Sequence, residues 1–223
     1  MTLAAVAHRG APCTARENTL AAFAAAVLAG ADVVELDVRC TADGVPVVLH
    51  DATLERLWGY AAEVAAVSSD EVRRRTGGGV PRLGEALDAT RSVRTLVDLP
   101  EPAAAARAVA EVRAAGAERR VYYCGGPDAL RAVREADPDA ELALTWQRTA
   151  PVHAALVERL RPRWLNYRFG LVTPQVIERA HGAGLLVSAW TVDRSRTMRR
   201  LASMGVDALT TNRVERLVRL LHG

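Results

Sequence analysis

Val33-Val34-Glu35-Leu36-Asp37-Val38-Arg39-Cys40-Thr41-Ala42-Asp43-Gly44-Val45-Pro46-Val47-Val48-Leu49-His50-Asp51 holds two apolar, β-branched runs separated by Asp-Gly. Asp-Gly between such runs is a strong short-range signal for a β-hairpin. With Asp43 and Gly44 as the two turn residues, Ala42 pairs with Val45 and His50 falls opposite Asp37. A slip of one residue would carry His50 to the other face. Glu35 and Asp37 are two positions apart, so on a strand they share a face. Carboxylates inside a buried strand are costly unless they are paired or bind a metal. The stretch therefore reads as an acidic strand followed by a return strand that brings an imidazole beside it.

Upstream, Val6-Ala7-His8-Arg9-Gly10 closes another apolar run and supplies a second imidazole. Two imidazoles can exchange protons near neutral pH. Beside two carboxylates they make a hard-metal site next to a proton-transfer pair, and that combination suits cleavage of a phosphate ester. The residues alone do not assign which of His8 and His50 is the base and which the acid. The remaining histidines, His153, His181 and His222, stand in helical or terminal contexts and read as surface residues.

Downstream, strand and helix alternate. Strand-like runs are Leu3–Ala7, Val33–Val38, Thr95–Leu99, Arg120–Cys124, Leu142–Trp146, Trp164–Tyr167, Leu185–Trp190 and Ala208–Thr211. Helical stretches fall at Thr19–Ala29, Leu83–Thr90, Ala103–Ala115, Asp128–Ala136, Val152–Leu160, Pro174–Ala183, Ser195–Met204 and Val214–Leu221. Eight strands each followed by a helix predict an α/β fold, the parallel (β/α)8 TIM barrel. Val45–His50 is then an extra strand at the barrel mouth. Residues 52–80 break the rhythm and read as a small insertion after the second strand, with a helix near Ser69–Arg75 and a Gly77-Gly78-Gly79 hinge. An open doubly wound sheet is the alternative, weakened because no glycine-rich dinucleotide loop follows the first strand. In a barrel the active site lies at the C-terminal strand ends. His8, Glu35, Asp37, Asp98, Tyr123, Trp146, Asn166 and Trp190 all fall at or near such ends.

Composition sets the outer bounds. The 223 residues, half of them hydrophobic, predict a single barrel domain. No run is long and apolar enough for a membrane span, and MTLAAVAHRG lacks the features of a signal peptide. The cysteines, Cys13, Cys40 and Cys124, are odd in number and lack CxxC spacing, which fits a reducing cytoplasm better than a disulfide framework. All 29 basic residues are arginine. Lysine-based nucleophiles and Schiff bases are therefore excluded. The arginines are interleaved with acidic and apolar residues and form no continuous basic tract, so nucleic acid is not an expected partner. Oligomeric state is left open.

Several segments carry a resemblance: AHRG, ARENTLAAF, GADVVELDVRCTADGVPVVLHDATLER, VPRLGEAL, LLVSAWTVD and MGVDALTTN. In this order and spacing they resemble the glycerophosphodiester phosphodiesterase family over nearly the whole chain. The resemblance implies metal-dependent hydrolysis of a small glycerophosphodiester to glycerol 3-phosphate and an alcohol, with His8 and His50 as the acid–base pair. It implies a divalent cation on Glu35, Asp37 and Asp98; oxygen ligands favour calcium, magnesium or manganese over zinc. Arg9 would contact phosphate, Trp190 would wall the glycerol end, and Tyr123 and Glu17 would complete the substrate site, with Trp146 and Tyr167 toward the leaving group. Two departures stand out. Asp98 occupies a position where the family usually has glutamate, and Pro100 one where it usually has lysine; Arg9 or Arg39 could replace the missing cation. The alternatives are a phospholipase D-like lyase acting on lipids, a barrel that binds phosphodiesters without turnover, and a sugar-phosphate isomerase or aldolase on the same fold. Asn212 reads as a helix cap.

Overall fold

The computed structural model describes residues 3–222. Eight strands run parallel: β1 (Ala4–Ala7), β2 (Val33–Cys40), β4 (Arg94–Leu99), β5 (Val121–Gly125), β6 (Leu142–Trp146), β7 (Trp164–Arg168), β8 (Leu186–Trp190) and β9 (Ala208–Thr211). Their order is β1-β9-β8-β7-β6-β5-β4-β2, and β1 also pairs with β2, which closes the barrel. β3 (Pro46–Val48) is the extra strand, antiparallel to β2. The helices are α1 (Leu20–Leu28), α2 (Glu55–Trp58), α3 (Ser69–Thr76), α4 (Leu83–Ala89), α5 (Ala105–Ala114), α6 (Pro127–Ala136), α7 (Ala154–Leu160), α8 (Pro174–Gly182), α9 (Ser195–Met204) and α10 (Val214–His222). Among the described residues no helix is long and apolar enough to cross a membrane.

The period-two alternation of the strands builds the site. Val6, Val33, Leu96, Tyr122, Ala143, Trp164, Leu186 and Ala208 pack together inside the barrel. Two residues further along each strand the same face carries His8, Glu35, Asp98, Cys124, Thr145, Asn166, Ser188 and Thr210. An apolar floor thus supports a polar layer at the C-terminal strand ends. The intervening residues, such as Val34, Val97, Tyr123 and Val187, pack in the larger core between barrel and helices.

Parity corrects three expectations. Tyr123, Trp146 and Tyr167 belong to that outer core rather than to the mouth. On β5 the inward residues are Tyr122 and Cys124, so Tyr123 faces the helices and does not reach a substrate.

The hairpin register is also shifted by one from the expectation. Val38 pairs with Val48, Arg39 with Val47 and Cys40 with Pro46. The loop has three residues, Ala42, Asp43 and Gly44: the Thr41 N–H donates to the Val45 carbonyl at 3.1 Å, and Gly44 takes a positive φ of 75°. The ladder ends where the Leu49 N–H donates to the Asp37 carbonyl at 3.0 Å. His50 lies past that point, outside the β alternation. Its carbonyl is held by the Arg39 Nε–H at 2.8 Å.

Between β3 and α4 the chain folds over its own apolar cluster of Val47, Leu49, Leu54, Val64, Val72 and Val80. The glycine triplet is not a hinge. Gly77 ends α3 in the left-handed region, and a Cβ on Gly79 would lie 2.0 Å from the Trp58 ring.

Candidate active site

Glu35, Asp37 and Asp98 offer one carboxylate oxygen each within 4.8 Å of one another, the one such cluster of potential metal ligands among the described residues. β2 and β4 place them: Asp37 pairs directly with Asp98 across the parallel ladder. Each has a donor from the chain. The Arg9 backbone N–H donates to Glu35 Oε2 at 2.7 Å, and the Asn18 Nδ2–H donates to Asp37 Oδ2 at 2.7 Å. The Cys124 thiol donates to Asp98 Oδ1 at 3.0 Å. Burial, then the neighbouring carboxylates, pushes the Glu35 pKa well above its ordinary value. Burial and the charge on Asp37 push Asp98 up to about 6. Held this close, Glu35 and Asp98 favour their protonated forms unless a cation joins the cluster. The all-oxygen donor set fits a hard divalent ion such as magnesium or calcium.

Arg9 is the charged group closest to this cluster. Its Nε lies 3.2 Å from Asp37 Oδ2, and its Nη1 donates to Glu17 Oε1 at 2.8 Å. Arg9 sits in the left-handed region at φ 57°, next to Gly10 at φ 82°. A Cβ on Gly10 would come within 2.6 Å of the Ala22 backbone, so the tight His-Arg-Gly turn against α1 requires glycine. Glu17 does not line the cavity. It reaches the site through Arg9 and also accepts from Arg56 at 2.6 Å.

The two histidines flank the carboxylates in different settings. His8 Nδ1 lies 2.8 Å from Asn212 Oδ1. Burial, then the charge of Arg9, lowers its pKa despite the hydrogen bond to Asn212. His50 Nδ1 lies 2.7 Å from Asp51 Oδ1. Arg56, from the insertion, bonds Asp51 and holds its carboxyl down at about 2. Asp51 is therefore an acceptor, and His50 turns its Nδ1–H to it. Both rings direct Nδ1 away from the reaction space and leave Nε2 free.

These groups meet in one cavity of about 310 Å³, lined by His8, Arg9, Glu35, Asp37, His50 and Asp98 on one side. Pro100, Gln147, Asn166 and Trp190 are among its other walls. Arg39 does not line it: that guanidinium is engaged by the His50 carbonyl and Glu101. Asn18, Asn212 and Asp51 are site residues whose partners the sequence reading missed. Thr19, not Asn18, caps α1, by accepting from the Ala22 N–H. His153 and His181 lie outside the cavity, and the side chain of His222 lies outside the described residues.

Residues 8–216 match the profile of the glycerophosphoryl diester phosphodiesterase family. The chain belongs to that family. A glycerophosphodiester phosphodiesterase of Caldanaerobacter subterraneus subsp. tengcongensis is 29% identical over 236 residues, covering 97% of this chain and 96% of that one. A solved glycerophosphodiester phosphodiesterase from Agrobacterium tumefaciens superposes with a TM-score of 0.83 at 27% identity, covering 98% of this chain and 100% of that one. The Thermotoga maritima enzyme of the same name shares the fold, with a TM-score of 0.85 at 24% identity and 99% coverage of both chains. The matched segment runs from His8 to Arg216, early in α10, and every carboxylate and histidine of the cavity lies inside it.

Proposed function

We propose that this family member hydrolyses small glycerophosphodiesters to glycerol 3-phosphate and an alcohol, using a divalent cation on Glu35, Asp37 and Asp98. The observation that carries the reading is the convergence of that carboxylate cluster, Arg9 and two histidines on one cavity. When bound, the cation supplies charge stabilisation at a nonbridging phosphate oxygen. Arg9, which lines the same cavity with its Nε 3.2 Å from Asp37 Oδ2, adds a positive contact. His8, kept neutral by burial and the neighbouring charge of Arg9, takes at Nε2 the proton of the attacking water. His50, half exposed and set against Asp51, donates the proton to the departing alcohol oxygen. Trp190 forms the apolar wall for the carbon skeleton of the glycerol.

The cavity size and the open mouth suit a small substrate rather than a polymer. A reducing, cytoplasmic setting is supported by three unpaired cysteines, one buried among the site residues. Incubation of the protein with glycerophosphocholine and magnesium or calcium tests the proposal through the products. Glycerol 3-phosphate and choline are expected. Phosphocholine with free glycerol, or a stable cyclic phosphate as the end product, would contradict it.

A further inference from the structure

Asp193, at the end of the β8–α9 connection, is engaged far more fully than a loop carboxylate needs to be. Its Oδ1 accepts from the Asn212 backbone N–H at 2.9 Å and from the Thr211 hydroxyl at 3.0 Å. Its Oδ2 accepts from the Asn212 side-chain Nδ2 at 2.9 Å. Burial opposes the charge on Asp193, but these donors outweigh it and hold its carboxyl below the ordinary value. An ionised carboxylate only accepts hydrogen bonds. The Asn212 amide must therefore turn its NH2 to Asp193 and its oxygen the other way. The other way is His8, whose Nδ1 lies 2.8 Å from Asn212 Oδ1. An amide oxygen also only accepts, so the proton of neutral His8 must sit on Nδ1.

We propose that Asp193 and Asn212 form a positioning relay that selects the tautomer of His8, leaving the Nε2 lone pair toward the cavity. This rests on the reading of His8 as the proton acceptor and adds the device that prepares it. In water a neutral histidine carries its proton mainly on Nε2, the wrong nitrogen for a base facing the reaction space. A flipped Asn212 would set its oxygen against the Asp193 carboxylate, two acceptors in contact, so the carboxylate fixes the amide and the amide fixes the imidazole. The other charged groups around His8 are Arg9, Asp37 and Glu17. They act on its charge; none of them is hydrogen-bonded to Nδ1. The relay joins two barrel connections, β8–α9 and β9–α10, to the end of β1. It is thus built on rigid strand ends.

Long-range proton–nitrogen NMR of the histidine rings tests this in the free protein, with the His8 signals identified by their loss in His8→Ala. Above the His8 pKa, the proton is expected on Nδ1 in the unaltered protein. Asn212→Leu should return it mainly to Nε2 and lower kcat on glycerophosphocholine by about tenfold or more, with KM within about twofold. Asp193→Asn frees the amide to flip and should give a mixture of the two tautomers. An Nε2–H tautomer in the unaltered protein, or an unchanged tautomer in both Asn212→Leu and Asp193→Asn, overturns the relay. The NMR result needs no turnover, so a protein with the expected tautomer and no diesterase activity would refute the proposed function and leave the relay standing.

Discussion

Each carboxylate of the cluster keeps lone pairs free after its one or two donors from the chain, which is what a shared cation needs. The thiol of Cys124 takes one oxygen of Asp98 in a position where a longer acidic side chain would have more reach. At the residue scale the two histidines separate by their partners, an amide for His8 and a carboxylate for His50. This separation predicts different responses to the leaving group. His50→Ala should lower kcat on glycerophosphocholine by about a hundredfold or more, yet cost far less on a nitrophenyl diester, whose leaving group needs no proton. His8→Ala should lower both. Steady-state kinetics of the two variants on the two substrates checks this; equal losses for His50→Ala on both would remove its role as acid.

Among the elements, the acidic strand and the His-Arg-Gly turn were legible because their residues are chemically unusual inside apolar runs. The barrel was legible from the alternation alone. What escaped was parity and loop length. Asp43-Gly44 reads as a two-residue turn, but Thr41 closes the loop one position earlier and the Asp43 carboxylate accepts from the Ser69 backbone N–H and hydroxyl at 2.9 and 3.0 Å, tying the hairpin tip to α3. His50 still reaches the site because it lies past the ladder. Tyr123 was placed at the right end of the right strand and on the wrong face. Asn212 and Asp51 could not be assigned because their partners are set by connections far apart in sequence: His8 and Asn212 are separated by 204 positions. Gly10 shows the same dependence on packing, since its neighbour is the backbone of α1. Gly10→Ala should destabilise the fold by roughly 2–4 kcal/mol, from the left-handed φ and the collision with Ala22. In thermal unfolding this is a fall of roughly 5–15 °C; a change within about 1 °C would show that the turn relaxes freely.

Over the whole molecule, the pairing of β2 with β4 brings carboxylates together that repel one another, and the consequence is a metal- and pH-dependent stability. Asp98 is raised from 3.8 to about 6, so the folded chain binds more protons than the unfolded chain between those values. That term makes the metal-free protein lose stability as pH rises through this window. His8, whose pKa is lowered, contributes the opposite trend below its ordinary value of 6.5, and no metal is needed for it. The gain in Tm on adding magnesium or calcium isolates the carboxylates. It should be small near pH 5 and grow toward pH 7.5, as protons cease to compete for the ligands. A gain that is constant across this range would place the ion elsewhere. The most direct test of the account is turnover of glycerophosphocholine after chelation and after restoring magnesium or calcium, with the unaltered protein, His8→Ala and His50→Ala side by side. Release of glycerol 3-phosphate that stops with chelator, returns with metal and is lost in both variants is the predicted result. Turnover that persists in chelator, or that survives either substitution undiminished, would contradict it.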